Sequence, residues 1–454
     1  MTSRRPRSLA RWTIHLTLLA TATLLGAGCG GSGGAKTTAC TTGGTGQLTI
    51  AVTGLPAGVT PMVRVTGGGL AAPMVLSAGA AVTLTAGDGY EIDWRRVKTP
   101  PAAGSVVGTA YFLSSSSFDR CVHAGVTTTA TLTYMPEPGS GDLWMSVSNP
   151  VMAGGELAAF AGTDLAASAA KEPVVWKTQN FTGIGGGGAF DSSGDLWVPG
   201  GDAINMYAMS ALATAGDAAP PVVLTQPANV SANFAAFDSS GNLWVSRGAP
   251  GAESSIVRYT PADQMASGTP TPSVVITSAD LMDPSQLAFD KNGELWVASQ
   301  GNDEVLKFSA AHLAASYAGA ADVVLTADNG SATLPAPYTN PLQVAFDRAG
   351  NLWVGYIGDV VAFTPAQQAA SGNVSKPLAL AGVAPSEGAF AFDESGGLWM
   401  DGPGLGQFQR FAAASLATGG MVTPDITIDS ATIGGAESLV FDPAPTWSPI
   451  NDAL

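Results

Sequence analysis

Ala288-Phe289-Asp290-Lys291-Asn292-Gly293-Glu294-Leu295-Trp296-Val297 decides the fold, because the chain repeats it. The same wording returns at Ala189 to Val198, Ala236 to Val245, Ala345 to Val354 and Ala391 to Met400. A sixth copy is split. Its second half, Gly141-Asp142-Leu143-Trp144-Met145, opens the array, and its first half, Leu439-Val440-Phe441-Asp442, closes it. The tryptophans at 144, 197, 244, 296, 353 and 399 stand 53, 47, 52, 57 and 46 residues apart, a period that points to a propeller or a solenoid. Within the phrase, Leu-Ala-Phe and Leu-Trp-Val are short alternating strands, so the five residues between them must reverse the chain. Aspartate can accept hydrogen bonds from the following amides, and the glycine three residues on can close the turn with a left-handed backbone. Asp191, Asp238, Asp290, Asp347 and Asp393 therefore read as turn residues, and the variable pairs between Asp and Gly as water-facing.

Each unit continues in the same way. A third strand ends in an aromatic residue, in turn Phe160, Tyr207, Tyr259, Phe308, Phe363 and Phe411. A short helical turn follows, as in Thr260-Pro261-Ala262-Asp263 and Thr364-Pro365-Ala366-Gln367, and then a fourth strand such as Val274-Val275-Ile276. The expected fold is all-β: a six-bladed, four-stranded β-propeller over 142–443 whose split blade closes the ring, preceded by a small β-sandwich. Phe289 and Trp296 are expected to pack toward the next blade.

Upstream, residues 1–28 read as an export signal with basic residues Arg4, Arg5, Arg7 and Arg11 and an apolar run too short to span a bilayer stably. Leu24-Leu25-Gly26-Ala27-Gly28-Cys29 resembles a bacterial lipoprotein cleavage box. That resemblance implies lipid on Cys29, with ordinary secretion as the alternative, and Gly30 favours the outer membrane where a cell has two. Residues 29–46 are a flexible Gly/Ser/Thr tether. Alternating segments from Leu48-Thr49-Ile50 to Thr129–Tyr134 form an immunoglobulin-like sandwich over 47–134, with the role of a stalk. Residues 135–141 are a linker and 444–454 a C-terminal tail. With Cys29 acylated, Cys40 and Cys121 are left to pair in an oxidising compartment.

Charge narrows the partners. The chain carries 35 acidic and 19 basic residues, a net charge of −16, and loss of the signal makes it more acidic still. Such a surface repels nucleic acid and anionic lipid, leaving a protein or glycan at the cell surface as partner, a membrane touched only through the N-terminal lipid, and a monomer.

The repeated Phe-Asp-x-x-Gly-Asn-Leu-Trp-Val is similar to the repeats of the NHL, streptogramin-lyase-like and gluconolactonase-like propellers, across residues 141–443. The sialidase aspartate box differs in placing its glycine two residues after the aspartate. The lyase-like resemblance implies a histidine base at the channel, but the histidines here are His15 in the signal, His123 in the sandwich and His312 on the rim. The gluconolactonase-like resemblance implies a divalent cation held by Glu, Asn and Asp, for which Glu387, Glu437, Asp401 and Asn233 are the candidates, with Ca²⁺ or Mg²⁺ as the cation. The loops entering the first strand and leaving the second lie at one end of each blade, and there Asn149, Arg247, Gln286, Gln300, Gln343 and Tyr356 are candidate ligand-binding residues. The Gly183–Gly188 run precedes a strand rather than a helix, so it does not read as a phosphate cradle. Two functions follow: a non-catalytic binding or scaffold module without a cofactor, tethered at the cell envelope, or a metal-dependent lactonase or lyase-like enzyme at the channel mouth.

The cysteine pairing is directly testable. Closing a loop of this length stabilises a fold by roughly 4 kcal/mol in the chain-entropy model. Both thiols should resist alkylation in denatured, unreduced protein and react only after reduction.

Overall fold

The computed structural model describes residues 40, 42–61, 63–101, 104–148, 155–178, 186–216, 219–248, 254–331, 337–375, 377–381, 383 and 389–449. The chain is all-β, a β-propeller preceded by smaller sheets. In the N-terminal part, Thr45–Thr53 pairs in parallel with Thr127–Pro136 and antiparallel with Ala81–Thr85, and Ala110–Ser116 extends the sheet beyond Thr127–Pro136. A second sheet joins Met74–Leu76, Val63–Gly67 and Tyr90–Trp94. Leu48, Ile50, Val63, Val65, Leu132 and Tyr134 fill the core the two sheets share. Cys40 and Cys121 are disulfide-bonded, 81 positions apart in sequence. The strand Ala110–Ser116 is an addition to the sequence reading; its serine-rich end gives no apolar alternation to recognise.

Each repeat folds into a sheet of four antiparallel strands. That of Trp296 runs from Pro284–Phe289 at the channel through Leu295–Ser299 and Glu304–Phe308 to Val323–Asp328 outside. The sheet of Trp144 is assembled from both ends of the array: Gly435–Asp442 pairs with Asp142–Ser148, with Leu143 opposite Phe441 and Trp144 opposite Val440. The outer edges are covered. Tyr317–Ala318 adds in parallel to Val274–Thr277 of the preceding sheet, Gly372–Ser375 to Val323–Asp328, Gly420–Met421 to Leu378–Ala381, and Ala169–Ala170 to Ile426–Asp429. This short fifth strand, absent from the four-strand reading, comes from the connector of the next repeat and blunts an edge that would otherwise offer unpaired amides.

The turn and Trp296 do the work expected of them, whereas Phe289 packs back on Trp244 of the preceding sheet and not toward the next. Oδ1 of Asp191, Asp238, Asp290, Asp347 and Asp393 accepts the amides two and four residues on, at 2.8–3.0 Å. The glycine between takes φ of +74° to +90°. Oδ2 of Asp191, Asp238, Asp347 and Asp393 accepts the indole N–H of the same hairpin's tryptophan at 2.8–3.0 Å. These four indoles are thereby fixed in their rotamers, and each tryptophan is turned toward the next sheet. There it meets the phenylalanine of the next copy edge-on: Trp144 on Phe190, Trp197 on Phe237, Trp244 on Phe289, Trp296 on Phe346, Trp353 on Phe392 and Trp399 on Phe441. Ring centroids are 5.9–6.5 Å apart and planes cross at 63–73°, the geometry aromatic quadrupoles prefer. Directly across the strand pair from five of the tryptophans is an alanine, which leaves room for the indole.

Replacing a buried tryptophan by alanine costs about 3–5 kcal/mol. Because Trp296 belongs to a continuous circuit of contacts, Trp296→Ala should lower the melting midpoint of the whole propeller in one transition; an unchanged midpoint on a thermal scan would contradict that packing role.

Candidate functional site

The innermost strand of each sheet runs from a loop end to a hairpin end, and the two ends differ in chemistry. Near the loop end, an extra residue interrupts the pairing in Ser231–Phe237, Pro284–Phe289, Pro341–Phe346 and Gly435–Asp442. A bulge re-aims the side chains beside it. Here it places Asn233, Gln286, Gln343 and Glu437 at the loop end, where the inner strands are stitched together. Gln343 Nε2 donates to the Glu437 carbonyl at 3.3 Å, and its Oε1 accepts the Phe390 amide at 2.7 Å. Ser285 Oγ donates to the Pro341 carbonyl at 3.2 Å, and Ser146 and Ser438 hydroxyls meet at 2.9 Å. The glycine run has its reason in the same layer: a Cβ on Gly186 would lie 1.4 Å from the Asn233 carbonyl oxygen, and one on Gly187 2.6 Å from Gln286 Oε1. Only glycine allows this approach.

Toward the hairpin end the channel widens into a cavity of about 480 Å³. Ala189, Ala236, Ala288, Ala345, Ala391 and Val440, the small residues opposite the tryptophans, line it from every inner strand. Gln286 and Gln343 line its inner end; Asp290, Lys291 and Asn292 of one hairpin and Asp347 and Arg348 of the next form its rim. The C-terminal segment crosses the mouth, from Ala444 beside the Trp197 and Phe237 cluster to Trp447 beside the Trp353 cluster. Trp447 donates its indole N–H to the Phe346 carbonyl at 3.1 Å and lies under the Arg348 guanidinium, 5.7 Å from the ring centre. Thr446 is held by Glu394, through its amide at 2.8 Å and its hydroxyl at 2.6 Å, and Lys98 Nζ donates to the Ala444 carbonyl.

Of the residues singled out from sequence, Gln286 and Gln343 line this cavity, and Glu437 reaches Gln343 through its carbonyl. Arg247 is buried within the Trp244 sheet, donating from Nη2 to the Tyr259 hydroxyl, which in turn donates to Gln226 Oε1 at 3.2 Å. Loss of water around it lowers its pKa. Tyr356 is buried against Tyr338 with centroids 5.5 Å apart, and burial pushes its phenol up. Gln300 begins the turn Gln300–Asn302, and Asp401 is buried at the end of Leu398–Asp401. None of Asn233, Arg247, Gln300, Tyr356 and Asp401 lines the cavity. Asn149, Glu387 and Cys29 lie outside the described residues. Glu437, Asp401 and Asn233 stand on three different sheets, and among the described residues no group of three or more His, Cys, Asp or Glu is placed to hold a metal. His312, partly exposed, stacks on Tyr317 at 3.8 Å with Nδ1 2.8 Å from Asp322. Sequence reading also passed over the hairpin end as a site. The signal was the turn position after the aspartate, which is Ser192, Ser239, Lys291, Arg348 and Glu394 in turn and was taken as merely water-facing.

A second cluster of charge lies at the seam of the split sheet. Asp442 is the counterpart of the turn aspartates, but its hairpin is cut, and the amides that would satisfy it are missing from the chain. Arg96 of the N-terminal sheets supplies the donors. Its Nη2 lies 2.5 Å from Asp442 Oδ1 and 2.6 Å from Glu137 Oε1, and its Nε 2.7 Å from Glu137 Oε2, all nearly without solvent contact. Gly194, with φ of +90°, fits against this pair; a Cβ there would lie 2.5 Å from Glu137 Oε1. Burial, and then the neighbouring Asp442 charge, push Glu137 up to about 8. Burial pushes Asp142 up to about 7 and Asp191 up to about 6, and lowers Lys98 to about 7.

No protein-family model matches the chain, and no curated protein matches it. Among solved structures it is similar to a protein of unknown function from Bacteroides caccae, at 13% identity and a TM-score of 0.43, covering 66% of this chain and 97% of that one. It is similar also to streptogramin B lyase, at 12% identity and a TM-score of 0.31 over 55% of this chain and 69% of that one. A putative gluconolactonase gives 13% identity and a TM-score of 0.36 over 61% and 87%. The fold rests on the strand pairing and the ring contacts, not on these likenesses.

The seam makes stability pH-dependent. A carboxyl whose folded pKa is raised takes up a proton on folding, so its contribution is complete below about pH 4.5 and is lost as pH rises through the folded value. Lys98 titrates differently in the two states only above about 7, so between pH 5 and 7 the acids act alone. Chemical denaturation should show stability falling from pH 5 to pH 7, by up to about 1.4 kcal/mol per pH unit for each such proton, and Glu137→Gln should flatten the slope. A flat profile in the native protein would refute the shifts.

Proposed function

We propose that the chain is a non-catalytic binding module, exported and held at the cell envelope through lipid on Cys29, whose ligand enters the channel from the hairpin end. In this reading the repeat sheets are the whole of a six-bladed ring and the N-terminal sheets are a β-sandwich that carries it. The cavity supports the reading: its wall is a belt of small apolar side chains with amides at the inner end, a surface that binds by fit and desolvation. The turn carboxylates at its rim are already committed to backbone amides, which suits them poorly to proton transfer. A protein or glycan partner would present a chain end there.

No helix among the described residues is long and apolar enough to cross a membrane. In this reading attachment falls to the N-terminal tether.

Two measurements separate this module from the metal-dependent lactonase or lyase-like alternative. Calorimetric titration of the mature protein with Ca²⁺ and Mg²⁺ should give no saturable heat; a stoichiometric response that Glu437→Ala removes would favour the enzyme. Glycan and peptide arrays should give a signal with the native protein that Asn292→Trp, at an exposed position of the rim, lowers, with a melting scan showing the ring intact. Retained signal in that variant would move the site away from the channel.

A further inference from the structure

The chemistry of the rim identifies what the cavity holds. Lys291 and Arg348 occupy the same position in adjacent hairpins, directly after the turn aspartate, and both are exposed at the mouth. Nearby acids are already engaged. Asp290 and Asp347 accept their own turn amides, and Glu294 pairs with Lys307 at 3.2 Å. Glu394, in the hairpin that follows Arg348's, is engaged by the amide and hydroxyl of Thr446. Among the described residues neither Lys291 nor Arg348 makes an ion pair, and Arg348 contacts only the face of Trp447 as a cation. In a chain of net charge −16, two bases without acidic partners at one opening are out of keeping with the rest of the surface.

Behind these bases the wall is apolar. The strand from Gln286 to Asp290 gives the cavity a depth of about 13 Å at the usual rise of an extended chain. We propose that this cavity binds a free amphiphile with an anionic head, its carboxylate between Lys291 and Arg348 and its unbranched chain along the alanine belt. The proposal rests on the reading of the channel as a binding site and takes a free amphiphile, in place of a partner's chain end, as its occupant. Each element has a stated task. The belt removes the chain from water, which favours binding in proportion to the apolar area covered. The two bases select the sign of the head group, an effect of exposed charges that salt weakens. Gln286 and Gln343 close the inner end, so the chain enters tail first.

The test is calorimetric titration of the mature protein with decanoate, 1-decanol and decyltrimethylammonium, below their aggregation limits, at low and high salt. Decanoate is expected to bind about five- to tenfold more tightly than decanol at low salt, with the difference shrinking in high salt, and the cationic probe to bind weakest. Lys291→Glu with Arg348→Glu should erase the preference for decanoate over decanol, both residues being exposed and the variant's melting midpoint confirming the fold. Equal binding of decanoate and decanol, or a preference that survives the double reversal, overturns the anionic-head assignment while the binding-site reading stands. If none of the three probes binds, the amphiphile proposal falls, and the arrays with Asn292→Trp decide separately whether the channel is a site at all.

Discussion

The structure depends on an edge-to-face contact made between each tryptophan and the phenylalanine of the following sheet. Individually such a pair adds about 0.5–1.5 kcal/mol beyond the area it buries. Their arrangement matters more than their sum, because the series returns to its start when Trp399 meets Phe441 on the strand that completes the Trp144 sheet. The turn aspartates serve this contact as much as they serve the turns. By accepting the indole N–H in the Trp197, Trp244, Trp353 and Trp399 sheets, they hold the ring plane where the next phenylalanine can meet its face. The Trp296 sheet is the exception: its indole N–H is buried without an acceptor, and Lys307 lies 5.6 Å from the ring instead. Blade spacing is preserved there by packing alone.

The channel is a by-product of the same constraint. An indole needs a small partner across the strand pair, so the position opposite each tryptophan is alanine in all but the split sheet. Small residues on the innermost strand leave the axis unfilled toward the hairpins. Toward the loops, the bulges swing amides and hydroxyls into the space and close it with hydrogen bonds. A ligand therefore meets an apolar wall from one side and a bonded polar layer from the other.

What could be read from the sequence was whatever repeats. Asp290, Gly293 and Trp296 act within a single hairpin, so five tandem copies and a split one spell out turn, strand and blade contact without knowledge of the tertiary structure. The split copy announced the pairing of Leu143 with Phe441. Features that depend on one copy only were illegible. Gln286 and Gln343 reach the cavity because of bulges, and a bulge leaves no mark in a pattern of alternation. Trp447 lies across the mouth through a contact with Phe346 more than one blade away in sequence, and Arg96 reaches Asp442 across 346 positions. The strand Ala110–Ser116 and the parallel edge strands are short and polar, and only their neighbours make them strands.

The seam has a consequence for how the molecule is made. Ser146 and Ser438, hydrogen-bonded across it, are 292 positions apart, so the sheet that locks the circle cannot form until nearly all of the chain has left the ribosome. Loop-closure entropy grows only as the logarithm of that separation, so the delay is one of order of events and not of final stability. On the proposal that the chain is exported, such an order is an advantage to it. It stays an open array, without its last strand, for as long as it must thread through a narrow passage in extended form, and it becomes a sealed body only when its far end arrives.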